Sequence, residues 1–388
     1  MPILSPLAIE ALIQDRRALH RIPELGLDLP RTAEYCERAL RGLGLAPRRM
    51  GDGLTVDLGD RGPLFAWRAD MDALPVAEAP GLDYASTLPG RMHACGHDAH
   101  MAIALAVARH YATGAELPCR LRLIFQPGEE GAGGARHMIQ GGALDGVAAI
   151  AGLHVGAIFP ELPLGCYGTR QGTVMGSATF FTVTFQGRGT HGATPDQGAD
   201  PLVAASQFAA SLQTVRASAA SPVHPTVVSL GSLHSGAAAN VIPEDAVLQG
   251  TLRTTSAEDL AAMNRHLERL AQGIAMANGV TVRVDSALRA PITANTDPVL
   301  PGLLAAAVAA VHGPDRFRWL AQPTLVGEDF GAYLEAVPGV FFFLATHPRG
   351  CTVPHHHPGF RVEEAELPGA VAVVDALLRQ WAALQPTS

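Results

Sequence analysis

Little in this chain suits a secreted or membrane-bound protein. Its cysteines, Cys36, Cys95, Cys119, Cys166 and Cys351, are an odd number and widely scattered. That pattern excludes a complete disulfide framework and fits a reducing compartment. The opening Met1-Pro2-Ile3-Leu4-Ser5-Pro6 has neither a basic stretch nor an apolar one after it, so no signal peptide is expected. The longest aliphatic stretches, 101–108 and 303–311, are too short to span a bilayer. A soluble, cytoplasmic protein is expected, with no membrane partner. Positive charge is also scarce, the formal net charge being -8. A nucleic-acid partner would need a basic face, so none is expected. Missing too are a G-x-x-x-x-G-K-[ST] phosphate loop, a G-x-S-x-G nucleophile elbow and a strand-linked G-x-G-x-x-G near the N-terminus. No internal repeat, low-complexity tract or charge run is present.

What the chain does have is length and pattern. At 388 residues it exceeds the size of a single core, so two domains are expected. With 48% hydrophobic and 16% charged residues it is globular, and 41 glycines and 29 prolines imply the many turns of a strand-rich α/β enzyme. Helices are expected over 8–20 and 31–42, and strands over 54–58 and 64–67. The second strand runs into Asp70 and Asp72. Asp98 offers an N-cap for an apolar helix over 101–111. A buried-type strand over 121–125 ends at Glu129-Glu130, and another over 147–153 ends at His154. This alternation predicts an α/β catalytic domain, a mostly parallel sheet with helices on both faces, built from 1–176 and 289–388. In such sheets ligands bind beyond the carboxyl ends of the strands, where these acids and His154 fall.

Between 177 and 288 the order changes to strand 178–185, helix 201–217, strands 226–233 and 246–254, helix 257–277 and strand 280–284. This β-α-β-β-α-β order is ferredoxin-like α+β and suggests an inserted lid domain. The tail resumes with helices over 298–311 and 328–336, a strand over 340–344 and a helix over 364–384.

The chemistry concentrates in Met92-His93-Ala94-Cys95-Gly96-His97-Asp98-Ala99-His100. Cys95 and His97 stand two apart, so an extended or turn segment throws both to one side. Thiolate and imidazole are preferred ligands of zinc and similar ions. With Glu129-Glu130, His154 and His355-His356-His357 there are donors enough for two metal ions. The reading is a metal-dependent hydrolase in which Cys95 bridges, His97 and His154 serve one ion, and Glu130 and His356 the other. Metal-bound imidazoles are normally oriented by a carboxylate, for which Asp70, Asp72 and Asp98 are available. Glu129, beside a ligand, can act as general base toward the activated water and return the proton to the leaving amine. A thiol protease built on Cys95 and His97 fits less well, because the pair lacks an orienting third member.

These motifs together resemble the two-metal aminoacylase/carboxypeptidase family, in the branch of hippurate hydrolases, auxin–amino acid conjugate hydrolases and N-acyl-amino acid deacylases. The resemblance covers nearly the whole chain. It runs through Leu19-His20-Arg21-Ile22-Pro23-Glu24-Leu25-Gly26, Arg68-Ala69-Asp70-Met71-Asp72, His93-Ala94-Cys95-Gly96-His97-Asp98 and Gln126-Pro127-Gly128-Glu129-Glu130-Gly131. It continues in Gly189-Thr190-His191-Gly192-Ala193-Thr194-Pro195, Ala239-Asn240-Val241-Ile242-Pro243, Gly327-Glu328-Asp329-Phe330 and His356-His357-Pro358-Gly359-Phe360.

The resemblance implies an amidohydrolase that cleaves N-acyl-amino acids, hippurate-like or N-acetyl and aryl-acyl conjugates. It implies two divalent ions per subunit, zinc foremost, with manganese, cobalt or nickel as alternatives. It singles out His356 from the histidine run and assigns Glu129 as base; Asp72, one of the candidate orienting carboxylates, is counted with the catalytic residues. It further implies that His191 stabilises the oxyanion, that Asn240 and Arg253 hold the substrate carboxylate, and that the lid forms a homodimer. A metallo-dipeptidase or carboxypeptidase of the same fold and a non-catalytic metal-binding protein are the alternatives. Asp196 stands where many relatives carry histidine, and Leu29-Pro30 replaces an acidic-aromatic pair, so substrate detail is where this chain departs from the pattern.

Overall fold

The computed structural model describes residues 3–79, 81–348, 350 and 353–385. Cys351 lies outside them, and the other four cysteines are buried free thiols. Two compact units are present. One comprises Met1–Val174, Thr293–Thr324 and Asp329–Ser388, and the other Met175–Ile292 and Leu325–Glu328.

The larger unit is built on an eight-stranded sheet. Its centre is parallel: Arg120–Gln126, Leu64–Asp70, Val147–Gly156 and Gly339–Ala345 lie side by side in that order. Every residue of Leu64–Asp70 and Gly339–Ala345 is buried. That is why these strands read as continuous apolar runs rather than alternating ones: a central parallel strand is covered on both faces. Through Gly53–Leu58 to the edge strand Arg48–Met50 the pairing turns antiparallel, as it does where Tyr167–Thr169 joins Gly339–Ala345. The sheet is therefore mixed, with a parallel core.

Helices Pro6–His20, His97–Ala112, Leu300–His312 and Leu367–Ala383 pack with one another, while Gly134–Gln140 packs with Gly331–Ala336. Pro6–His20 begins as its sequence dictates, with the Ser5 hydroxyl accepting from the Ala8 amide and Pro6 in the first turn. His97–Ala112 does not begin as expected. Asp98 is not its cap; Gly96 holds the cap position in the left-handed region, at φ 90, and the helix starts at His97. Only glycine enters that region without steric cost, and the turn it makes carries Cys95 and His97 toward the same point.

The smaller unit has a four-stranded antiparallel sheet in the order Thr226–Ser235, Asp245–Thr254, Ser177–Gln186, Thr281–Ala290. With the helices Pro201–Ser211, Gln213–Ala219 and Ala257–Asn278 between strands, this is the ferredoxin-like arrangement. Phe181, Val183, Phe185, Leu248 and Leu252 bury one sheet face against Phe208, Met263 and Leu267 of the helices. The single helix expected over 201–217 is two, joined at Leu212. Among the described residues no helix is long and apolar enough to cross a membrane.

Candidate metal centre

Strands of the parallel core lead to much of the predicted site, and Cys95 and His97 lie at the start of His97–Ala112. Leu64–Asp70 leads to Asp72, and Arg120–Gln126 leads to Glu129 and Glu130. His154 lies within Val147–Gly156 rather than after it, paired with Phe343 of Gly339–Ala345. The segment beyond Gly339–Ala345 returns His355 and His356, anchored by the His356 amide donating to the Ala94 carbonyl at 2.9 Å.

The donors converge in two groups that share one sulfur. Ligand atoms of Cys95, His97 and His154 lie within 4.8 Å of one another, and so do those of Cys95, Glu130 and His356. His97, Glu129 and Glu130 form an adjoining group on the same scale. Glu129 Oε2 stands 4.0 Å from His97 Nε2, and His356 Nε2 stands 3.2 Å from Glu130 Oε1. The backbone of His356 has φ 63, the only left-handed non-glycine residue among those described. Such a conformation costs about 1–2 kcal/mol, and an outlier of this kind beside clustered ligands points to a functional constraint.

Hydrogen bonding fixes which nitrogen each histidine offers. His97 donates from Nδ1 to the Asp72 carbonyl at 2.7 Å, and its buried Nε2 has no hydrogen-bond partner. His154 donates from Nδ1 to the Val155 carbonyl at 2.8 Å, leaving Nε2 turned to Cys95 Sγ at 3.4 Å. Both therefore turn Nε2 to the centre, the nitrogen whose lone pair becomes available to a metal once it carries no proton. His100 is wired the other way: Nδ1 faces Asp70, and Nε2 accepts from the Val155 amide. It has no lone pair left to give. His93 is buried and belongs to none of the described ligand groups.

Carboxylates play different parts from those expected of them. Asp72 does not orient an imidazole through its side chain alone; its oxygens accept the Glu129 and Glu130 amides at 2.9 and 3.0 Å and so hold that turn in place. Asp70 is engaged by Arg68 and His100. Asp98 is not an orienting group for any ligand: it pairs with Arg16 at 2.9 Å and His20 at 2.7 Å. A buried set to which the sequence had assigned no role braces the site, with Arg68 and Gln126 both donating to Asp329 and the Ala135 amide donating to the same carboxylate. Arg68, Gln126 and Asp329 stood in the motifs that carry the resemblance, with no role attached to them.

The electrostatics fit a cation. Burial opposes charge on His97, yet Asp70, Asp72 and Glu130 push its pKa up to about 10. Burial, then Glu130, Glu129 and Asp70, raise the Cys95 thiol well above its usual range. Burial drives His154 the other way, well below the usual imidazole value, with His100 and His355 adding to it. An orphaned buried nitrogen, a thiol among carboxylates and a neutral imidazole together match a divalent ion better than any side-chain partner.

His191, Asn240 and Arg253 belong to the other unit. His191 and Val241 pair across a two-stranded ribbon, and the Gly192 amide donates to the Asn240 carbonyl, so His191 and Asn240 are brought together. His191 Nδ1 accepts from the Ala193 amide, which leaves the proton on Nε2. Arg253, half-buried, donates to the Leu325 carbonyl at 3.0 Å, and desolvation lowers its pKa.

The model of the peptidase family M20/M25/M40 matches residues 66–380. An N-acetyl-L-cysteine deacetylase of Bacillus subtilis is 35% identical, with 92% of this chain and 84% of that protein covered. A thermostable carboxypeptidase 2 of Saccharolobus solfataricus is 35% identical over 93% of both. The solved YxeP protein of Bacillus subtilis, a dinuclear metal-binding peptidase of the M20 family, is 32% identical with a TM-score of 0.83, covering 98% of this chain and 100% of that one. Matching motifs, fold and donor set converge, and the chain belongs to the peptidase family M20/M25/M40 as a metal-binding amidohydrolase.

Proposed function

We propose that this protein hydrolyses the amide of N-acyl-amino acids, releasing a carboxylate and a free amino acid. Cys95, His97, His154, Glu130 and His356 would hold two divalent ions, the Cys95–His97–His154 and Cys95–Glu130–His356 groups each offering three donors. The observation that carries this reading is the sharing of Cys95 between two three-donor groups. Zinc suits the mixed sulfur, nitrogen and oxygen donors best, with manganese, cobalt and nickel as alternatives. When bound, such an ion pair polarises a carbonyl and acidifies a water.

The chain's own residues do the rest. Glu129, in the turn gripped by Asp72, takes the proton from the attacking water and delivers it to the departing nitrogen. A positioned base of this kind contributes about 10²–10⁴ in rate. His191, with its proton on Nε2, donates to the oxyanion, and Asn240 and Arg253 hold the substrate's free carboxylate. A guanidinium fork matches a carboxylate bidentately. The unit around Met175–Ile292 acts as lid and dimerisation surface. Its outer strand Thr281–Ala290 is largely exposed, with Leu288 among the exposed apolar residues, and a free strand edge needs cover. Buried free thiols suit a cytoplasmic location.

The substrate class is tested by a panel of N-acetyl-, N-benzoyl- and N-indoleacetyl-amino acids beside dipeptides, assayed before and after chelation. Turnover of the acyl-amino acids, lost on chelation and restored by added metal, is expected. Preference for dipeptides would favour the carboxypeptidase reading, to which the Saccharolobus relative lends weight.

A further inference from the structure

Two imidazoles touch the Cys95 sulfur, and their other nitrogens are wired oppositely. His154 approaches through Nε2 at 3.4 Å, with its Nδ1 proton committed to the Val155 carbonyl. It can offer sulfur only a lone pair. His355 approaches through Nδ1 at 3.6 Å, and its Nε2 accepts the Ala157 amide proton at 2.9 Å. A neutral imidazole that accepts at Nε2 carries its proton on Nδ1. The proton on His355 therefore points at the sulfur.

The ring is seated for this role. An added Cβ at Gly156 would lie 2.2 Å from His355 Nε2, and Gly156 has φ +112, so glycine there makes room for the imidazole. Phe360 lies against the ring at 4.7 Å, and His154 meets it edge-on at 5.2 Å. Successive side chains of an extended strand point to opposite sides. The left-handed turn at His356 breaks that alternation, so that His355 reaches Cys95 while His356 reaches Glu130.

We infer that His355 is a positioning residue that donates a hydrogen bond from Nδ1 to the Cys95 sulfur and thereby limits how much charge that sulfur passes to the ions it joins. The inference rests on Cys95 being the shared ligand proposed above. A hydrogen-bonded thiolate holds its lone pairs at lower energy and is a weaker donor. Its partners keep more positive charge, and so polarise a carbonyl more strongly. Partners of ligands in this position typically change metal affinity or activity 10–100-fold when removed.

The test uses the cobalt-substituted protein, whose sulfur-to-cobalt charge-transfer band in the near ultraviolet reports the energy of the sulfur lone pairs. His355→Phe and His355→Leu remove the donor, whereas His355→Asn places an amide N–H near the Nδ1 position. Two cobalt ions per chain should remain in each. The band should move to longer wavelength in the Phe and Leu variants and stay near the wild-type position in the Asn variant. A band unmoved in either donor-free variant, or moved equally in the Asn variant, overturns the inference. Cys95→Ser separates this from the reading beneath it: if the band survives that substitution, Cys95 is not a ligand and the two-ion assignment itself fails.

Discussion

An imidazole's chemistry is decided at the nitrogen that faces away from the site. His97 and His100 are three apart on one helix and both buried, yet one hands its Nδ1 proton to a carbonyl and the other has Nε2 capped by an amide. Residue type and spacing made the cluster legible; the tautomers were not, because they depend on backbone groups from other strands. His355 illustrates the same limit. Sequence could rank it only as a neighbour of His356, since the Ala157 amide that sets its proton comes from a segment some two hundred residues earlier.

At this scale metal binding should be coupled to protons. In the metal-free protein the His97 pKa is about 10, and the Cys95 thiol is held well above its usual range. Both carry protons at neutral pH, and both must lose them to ligate. Affinity should therefore rise with pH below those values. Calorimetry in buffers of different ionisation heat should count about two protons released per site pair at neutral pH. A pH-independent affinity would contradict the assignment. Arg253 makes a separate claim: converting the substrate's free carboxylate to an amide should lower kcat/KM by about 10-fold or more, and equal rates on hippurate and its amide would remove Arg253 from that role.

Among elements, the apolar runs named the central strands because burial on both faces favours apolar side chains, with buried Arg68 and Asp70 paired to each other at the end of Leu64–Asp70. Ends were less legible. Gly96 set the start of His97–Ala112 through its backbone conformation, where Asp98 had the better capping side chain but was engaged by Arg16 and His20. The antiparallel outer strands were hidden as well, since pairing direction leaves no mark in short edge strands. On the proposed mechanism, activity depends most on the Glu129-Glu130 turn. It is held at its head by Asp72 and beyond its end by Asp329 through the Ala135 amide. Asp72→Ala removes two acceptors at once and should lower kcat about 10–100-fold while the overall fold persists. Unchanged kcat with an intact circular dichroism spectrum would show that the turn holds itself.

Taken whole, the chain leaves its sheet unit after Val174 and returns at Thr293. The ferredoxin-like order of the intervening segment was readable because its strands alternate, one face being buried by the helices between them. What that unit does was not readable, as edges and surfaces carry no periodic signal. A homodimer is expected by sedimentation. All 28 basic residues are arginine, so amine-directed cross-linkers would be poor reporters. Mixing His191→Ala with Glu129→Gln subunits should restore activity if His191 serves the partner's site. Proven heterodimers without recovery would place its action within one subunit.

The central claim, a two-ion centre with Glu129 as base, is tested most directly by elemental analysis and turnover of one variant against the wild type. Glu129→Gln should bind two ions per chain, as the wild type should, while its kcat on an N-acyl-amino acid falls by about 10²–10⁴. Fewer than two ions in the wild type, loss of an ion in Glu129→Gln, or full turnover by that variant would contradict the account.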